Sequence, residues 1–373
     1  MTGSVIVVGA GIFGVSIADH LAGEGWDVEL IEQYHPGHAR QSSGGETRLI
    51  RCGHGGDAWY TAMAWRARAL WDEIEDDTGA ELLVRSGVVW FGSAGGWVAE
   101  SGRTMDRMGI PVETLDDGGL RELFPSIDTS GIEAALFEPE AGVLRAGRAV
   151  GVLAERARRR GARVTTARAI PDEPGVVVDG IRRGADVVVW ACGPWLRTLF
   201  PDLVDAKVTK QDVVFYGVGP DWAAPGVPGW IDHDEAMYGC GDIGGKGFKA
   251  ASDLDGDDFD PDTGERLPSP ANLERCRRYL AGRFPGIADA PVTLTRTCQY
   301  SSTPDGQWIV APHPEHPDVW LVGAGSGHGF KHGPAMGEYV AALIAGTEQP
   351  LPNLGLARRT SSGNLRTKPS PQD

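Results

Sequence analysis

A short apolar run, Ser4-Val-Ile-Val-Val8, opens the chain and meets Gly9-Ala-Gly-Ile-Phe-Gly14; a helical stretch to about Gly25 follows, then Asp27-Val-Glu-Leu-Ile31, stopping at Glu32. This order predicts strand, tight turn, helix and strand. From Trp59 to about Asp77, Trp59, Met63, Ala67, Leu70 and Ile74 recur on one face with charges opposite, which predicts a helix with a core-facing stripe. Gly87-Val-Val-Trp-Phe91 reads as a strand and a mixed region runs on to about Glu140. A helix is expected from Ala146 to Arg160, ended by Gly161, followed by strands at Ala162-Arg-Val-Thr-Thr166 and Ala185 to Trp190. Strands alternating with helices predict a parallel sheet. Residues 207–310 instead hold strand-like fragments separated by Pro, Gly and Asp, which predicts an antiparallel second domain. A last strand, Val319-Trp-Leu-Val322, enters Gly323-Ala-Gly-Ser-Gly-His-Gly329, and a helix runs from about Pro334 to Ala345. After Leu354 the chain turns polar and is expected to be disordered.

The first of these segments carries a dinucleotide-binding fingerprint in its full context. Gly9 allows the tight turn, Gly11 lets backbone N–H groups approach a pyrophosphate at a helix N-terminus, and Gly14 permits close helix–strand contact. Glu32, 18 residues beyond Gly14, would accept hydrogen bonds from a ribose. The motif does not separate NAD from FAD. The fold class is therefore mixed α/β. A Rossmann-like domain with a parallel sheet is assembled from 1–80, 141–206 and 316–355. A second domain with a mixed or antiparallel sheet comes from 81–140 and 207–315, leaving 356–373 as a tail.

At about 150 residues per domain, 373 residues suit two to three domains. Acidic residues outnumber basic ones 51 to 35, for a net charge of −16, which opposes nucleic acid and anionic membrane surfaces as partners. The richest apolar run, Asp186 to Cys192, falls far short of the ~18 residues of a membrane span. No secretory pattern opens the sequence, so cytoplasm is the expected compartment. Five widely spaced cysteines suggest free thiols, with neither a disulfide framework nor zinc. Only six of the 35 basic residues are Lys, and three of those six lie in two similar glycine-rich segments, Gly244-Gly-Lys-Gly-Phe-Lys249 and Gly327-His-Gly-Phe-Lys331. Little bulk there would hinder a planar ligand.

Ser42-Ser-Gly-Gly-Glu-Thr-Arg-Leu-Ile-Arg51, the fingerprint, Gly245-Lys-Gly-Phe-Lys249, Thr297-Cys-Gln-Tyr300, His313-Pro-Glu-His316 and Gly325-Ser-Gly-His-Gly-Phe-Lys331 follow one another in a specific order. In that order, over nearly its whole length, the chain resembles the monomeric sarcosine oxidase and N-methyltryptophan oxidase family of D-amino-acid-oxidase-like FAD enzymes. That family also includes fructosyl amino acid oxidases and cyclic imino acid oxidases. The resemblance implies FAD, with Cys298, set in a polar stretch unusual for a core thiol, joined to the flavin by a thioether. It implies that Arg51 clamps a substrate carboxylate with help from Lys331, and that Arg48 faces the flavin. Lys249 would sit over the ring and, through a water, promote reaction with O₂. Arg48 and Arg51, three apart, could share a helical turn or adjoin in a loop. Tyr238 and Tyr300 match pocket positions, and Ser42, Thr47, Val164, Gly325, Gly327, Gly329, Phe330 and Lys331 itself are the remaining cofactor contacts implied.

The departures bear on the substrate. Where sarcosine oxidases carry histidines, this chain has Gly44 and Asp253. Gly44 would leave space, and Asp253, if it faces the pocket, would favour a substrate with a second cation or hydrogen-bond donor. Metal readings are declined: the Asp253 to Asp262 loop has Asp258 where a calcium loop needs Gly, and His328 with His332, and His313 with His316, are interrupted by Gly or Pro. The reaction implied is oxidation of a carboxylate-bearing secondary amine or cyclic imino acid, with hydride passing to flavin N5, an imine leaving, and O₂ reduced to H₂O₂. The partners are thus an amino-acid-like small molecule and O₂. A flavin-dependent dehydrogenase, an oxidase of a primary or glycated amino acid, and an NAD-dependent dehydrogenase with Cys298 structural remain alternatives.

Overall fold

The computed structural model describes residues 3–357; the expected tail from 356 onward lies outside these residues but for its first two. Among the described residues, one sheet has six strands in the order Ile309–Pro312, Val319–Gly323, Val187–Trp190, Ser4–Val8, Asp27–Glu32, Arg163–Thr166. Its neighbours are parallel, except that Ile309–Pro312 runs antiparallel at the edge.

Side-chain alternation divides this sheet between two cores. Val5, Val7 and Leu30 face a helical layer of Ile12–Gly23, Ala58–Thr78, Ala146–Arg159 and Gly333–Ile344. Ile6, Val8, Ile31 and Trp190 face the other way, onto Val176 and Val178 of a small antiparallel sheet spanning Ala169–Asp172, Gly175–Val178 and Ile181–Arg183. The first and last helices approach so closely that a Cβ at Gly337 would stand 2.4 Å from the Ser16 carbonyl oxygen.

An eight-stranded sheet forms the second layer system: Val292–Ser302, Lys207–Tyr216, Phe248–Ser252, Met237–Cys240, Gly229–Asp232, Val88–Gly92, Ala134–Glu138, Glu113–Leu115. It is mixed rather than purely antiparallel, because Gly229–Asp232 runs parallel to Val88–Gly92. One face packs Phe248, Trp230 and Ala250 against Phe284 and Leu280, at the end of the helix Pro270–Arg283. By the two-residue period the opposite face carries Tyr238, Lys249, Cys298 and Tyr300.

Candidate active site

Three cavities meet around Arg48. A long groove is lined by Gly9, Gly11, Glu32, Ser42, Gly325, Gly327, Gly329 and Phe330; a second cavity of about 290 Å³ by Arg51, Tyr238, Asp253, Tyr300 and Lys331; a third by Thr47, Lys249 and Cys298. Arg48 lines all three. Of the residues singled out in the sequence, Gly14 and Val164 stand outside these walls. Gly14 acts from behind, where a Cβ would meet the Gly9 carbonyl oxygen at 1.8 Å. Val164 is a partly buried strand residue paired with Leu30, and the groove is lined nearby by Ala167, Arg168 and Ala169 instead.

The groove fits the dinucleotide reading on local grounds. Gly9 has φ +101°, a conformation open to glycine, and the helix beginning at Ile12 directs its first turn into the groove. In the last loop Ala324 and Ser326 hold φ near +49° and +45°, the kind of backbone strain that gathers at functional sites. The Ser42 hydroxyl is buried in this wall without a protein partner, as a ligand-facing donor would be. Glu32 accepts from the Ala10 N–H at 2.8 Å, Gln41 Nε2 at 3.1 Å and the Tyr34 N–H at 3.2 Å, and lies 3.3 Å from His38 Nε2. Burial alone would push its pKa up, but the His38 contact and the Ala10 N–H outweigh it and hold the carboxylate below its usual range.

Arg48 lies in the strand Thr47–Ile50 and Arg51 just beyond it, so the two share neither a helical turn nor a loop. Three carbonyls fix Arg48: Ser42 O at 2.8 Å, Gly44 O at 2.9 Å and Thr47 O at 2.8 Å. Its Nη2 stands 3.3 Å from Cys298 Sγ. Arg51 donates to Gly53 O and lies over the Trp90 ring at 4.8 Å. Lys249, 2% exposed, donates to Thr47 O at 3.3 Å and sits 4.9 Å from the Tyr238 ring centre. Burial brings its pKa down to about 8. Burial also raises the Tyr238 phenol to about 12.

Gly44 does not line the cavity of Arg51 and Lys331. A Cβ there would stand 2.5 Å from the His38 carbonyl oxygen, so the glycine answers to its own loop, and it lines the cavity of Lys249 and Cys298. Asp253 does line that cavity, where the Tyr300 hydroxyl donates to it at 3.4 Å and Tyr238 and Tyr300 hydroxyls meet at 3.2 Å. The rest of the acidic loop behaves as a surface loop: Asp258 pairs with Lys207 at 3.3 Å, and Asp260 accepts from two backbone N–H groups of its own turn.

His54 escaped the sequence reading. It closes a buried cluster with His328 and His332, whose ring nitrogens lie within 4.8 Å of one another. Its Nδ1 is 2.9 Å from Cys52 O; a carbonyl only accepts, so Nδ1 carries the hydrogen and Nε2 is left to accept from Lys331 Nζ at 3.2 Å. Lys331 also donates to His328 O at 3.1 Å. Burial first, then the Lys331 charge, holds His54 and His332 well below the usual histidine range, hence neutral. Glu138 steadies this turn, accepting from the Gly53 N–H at 3.1 Å and Trp90 Nε1 at 2.7 Å. The only sequence signal for His54 was its position three residues after Arg51.

Residues 4–343 match the family of FAD dependent oxidoreductases known as DAO. The chain belongs to that family and is an FAD-dependent oxidoreductase. It is 33% identical to monomeric sarcosine oxidase of Streptomyces avermitilis, covering 94% of this chain and 96% of that one. It is 30% identical to N-methyl-L-tryptophan oxidase of Yersinia pestis, covering 93% and 96%. Among solved structures, L-proline dehydrogenase from P. horikoshii shares the fold at TM-score 0.81 with 22% identity, covering 94% of this chain and 96% of that one. Among the described residues no helix is long and apolar enough to cross a membrane.

Proposed function

We propose that the protein is an oxidase of a carboxylate-bearing secondary amine, an N-alkyl amino acid or cyclic imino acid, with FAD attached covalently to Cys298. The observation that carries this reading is the place of Arg48, fixed by three carbonyls in the wall shared by the nucleotide groove, the cavity of Arg51 and Lys331, and the cavity of Lys249 and Cys298. Gly9, Gly11, Glu32, Ser42, Thr47, Gly325, Gly327, Gly329 and Phe330 would hold the cofactor. FAD, when bound, would supply an acceptor for a hydride from the C–H bond beside nitrogen and a route for those two electrons to O₂, which would leave as H₂O₂.

The chain's own work is binding and charge placement. Arg51 and Lys331 take the substrate carboxylate, which fixes which C–H bond faces the groove. The amine reacts neutral, because its lone pair stabilises the cation that develops, and the imine leaves to hydrolyse or rearrange. Lys249 holds a positive charge where O₂ is reduced. The same proposal assigns 1–80, 141–206 and 316–355 to FAD and 81–140 with 207–315 to the substrate, except that Ile309–Pro312 is an edge strand of the first sheet, and it places the protein in the cytoplasm.

Acid precipitation of the purified protein tests the attachment: yellow colour in the pellet, lost in Cys298→Ser, is the expected result. Colour released to the supernatant of the unaltered protein removes the covalent bond and keeps the flavoenzyme. Oxygen uptake with N-alkyl and cyclic amino acids, without added acceptor, separates an oxidase from a dehydrogenase.

A further inference from the structure

We infer that the substrate carries a second nitrogen that stays protonated, besides the amine that reacts, and that Asp253 with the Tyr238–Tyr300 pair recognises it; this rests on the reading of the Arg51–Lys331 cavity as the substrate site. The first ground is size. About 290 Å³ is near the lower end of cavities that take drug-sized ligands, ~300 Å³, and a carboxylate with one carbon–nitrogen unit occupies only part of it.

The second ground is the direction of the hydrogens. Asp253 as a carboxylate can only accept, so the Tyr300 hydroxyl spends its hydrogen on Asp253 at 3.4 Å. That leaves Tyr238 as the donor in its 3.2 Å contact with Tyr300. Both hydrogens therefore point along the array toward Asp253, and any further group that meets these three residues must bring hydrogens of its own. Arg51 and Lys331, in the same cavity, are donors with no acceptor to offer. One part of the wall asks for an anion and the other for a group made only of donors. An amide offers hydrogens but adds an acceptor; an ammonium offers hydrogens alone.

The third ground separates this nitrogen from the reacting one. A carboxylate holds a proton on an amine it binds, whereas the oxidised amine must lose its proton to react. The acceptor array therefore suits a nitrogen that stays charged through the reaction. Of the other charged groups in the wall, Asp232 accepts from Tyr279 at 3.0 Å and pairs with Arg283 at 3.3 Å, Asp234 lies 3.5 Å from His233 Nδ1, Arg275 donates to Glu235 O at 2.6 Å, and the Glu235 carboxylate lies on an exposed residue.

The test titrates the FAD-loaded full-length protein anaerobically with Nα-methyl derivatives of 2,4-diaminobutyrate, ornithine and lysine. Each is set against the uncharged aliphatic amino acid of matching length, and binding is read from the flavin absorbance. At least one charged member should bind about tenfold tighter than its partner. Asp253→Asn should bring that ratio to within about twofold, while Asp253→Glu keeps most of it. Equal binding of charged and uncharged partners, or a preference that survives Asp253→Asn, overturns the inference and leaves the amine oxidase standing. Failure of every one of these ligands, charged or not, to perturb or bleach the flavin overturns the amine-substrate reading and the inference with it.

Discussion

Two buried lysines face neighbouring cavities and are held in opposite ways. Lys249 is 2% exposed, has Thr47 O at 3.3 Å and the Tyr238 ring beneath it, and burial lowers its pKa to about 8. Lys331 is 3% exposed and gives hydrogens to two well-placed acceptors, His54 Nε2 and His328 O, among imidazoles that its own charge helps keep neutral. Equal depth thus comes with unequal hydrogen-bond support. A lysine surrounded by acceptors suits a permanent anchor for a substrate carboxylate, and one with little support suits a charge that is used for part of the cycle.

The largest effect that could break this contrast is Lys249→Met. It should slow reaction of the reduced enzyme with O₂ by about 10²–10³-fold, measured by stopped-flow after anaerobic reduction, with reduction by substrate changed far less. Equal slowing of both half-reactions would erase the division of labour. Next, Lys331→Met should weaken binding of carboxylate ligands by about 10- to 100-fold and leave the O₂ step near its original rate.

A smaller effect sharpens the contrast through pH. A pKa near 8 for Lys249 means that its charge is intact below that value and is lost as pH rises through it. The O₂ step should therefore fall above about pH 8, while reduction by substrate rises as the bound amine loses its proton. An O₂ rate that stays level from roughly pH 6 to 10 would show that the charge is not used. The smallest change expected is for His54→Phe, which removes an acceptor from Lys331. It should raise KM about threefold to tenfold with little change in kcat, and His54→Gln, whose amide oxygen can accept, should recover most of the loss.

Legibility in the sequence followed the range of the forces involved. The segment from Ser4 to Glu32 was readable because strand, glycine turn, helix and strand are set by neighbours in the chain, and the glycine loop with its final helix, Gly333–Ile344, was readable for the same reason. The hairpins between Ala169 and Arg183 escaped because their strands are three or four residues long and their apolar runs, of one to three residues, are broken by Asp, Gly and Arg. The parallel pairing of Gly229–Asp232 with Val88–Gly92 joins segments far apart in sequence, and no local pattern announces it. In the site, family motifs located Arg48, Lys249, Cys298 and Lys331, but they gave no warning that His54 would reach Lys331 across the fold. Gly44 was misread because a missing side chain looks alike in sequence whether it makes room for a ligand or for the chain's own backbone.

The close approach of the first helix to the last, where Gly337 leaves room only for the Ser16 backbone, has a consequence for biosynthesis. The strand Val319–Gly323 and the helix Gly333–Ile344 leave the ribosome some three hundred residues after the helix they cover. A nascent chain emerges in order, from its N-terminus. Until those last segments arrive, the groove at the glycine fingerprint lacks the lining from Val322 to Phe330. A chain truncated before Val319 would therefore be made with Cys298 in place but without the glycine loop that lines the groove beside the fingerprint.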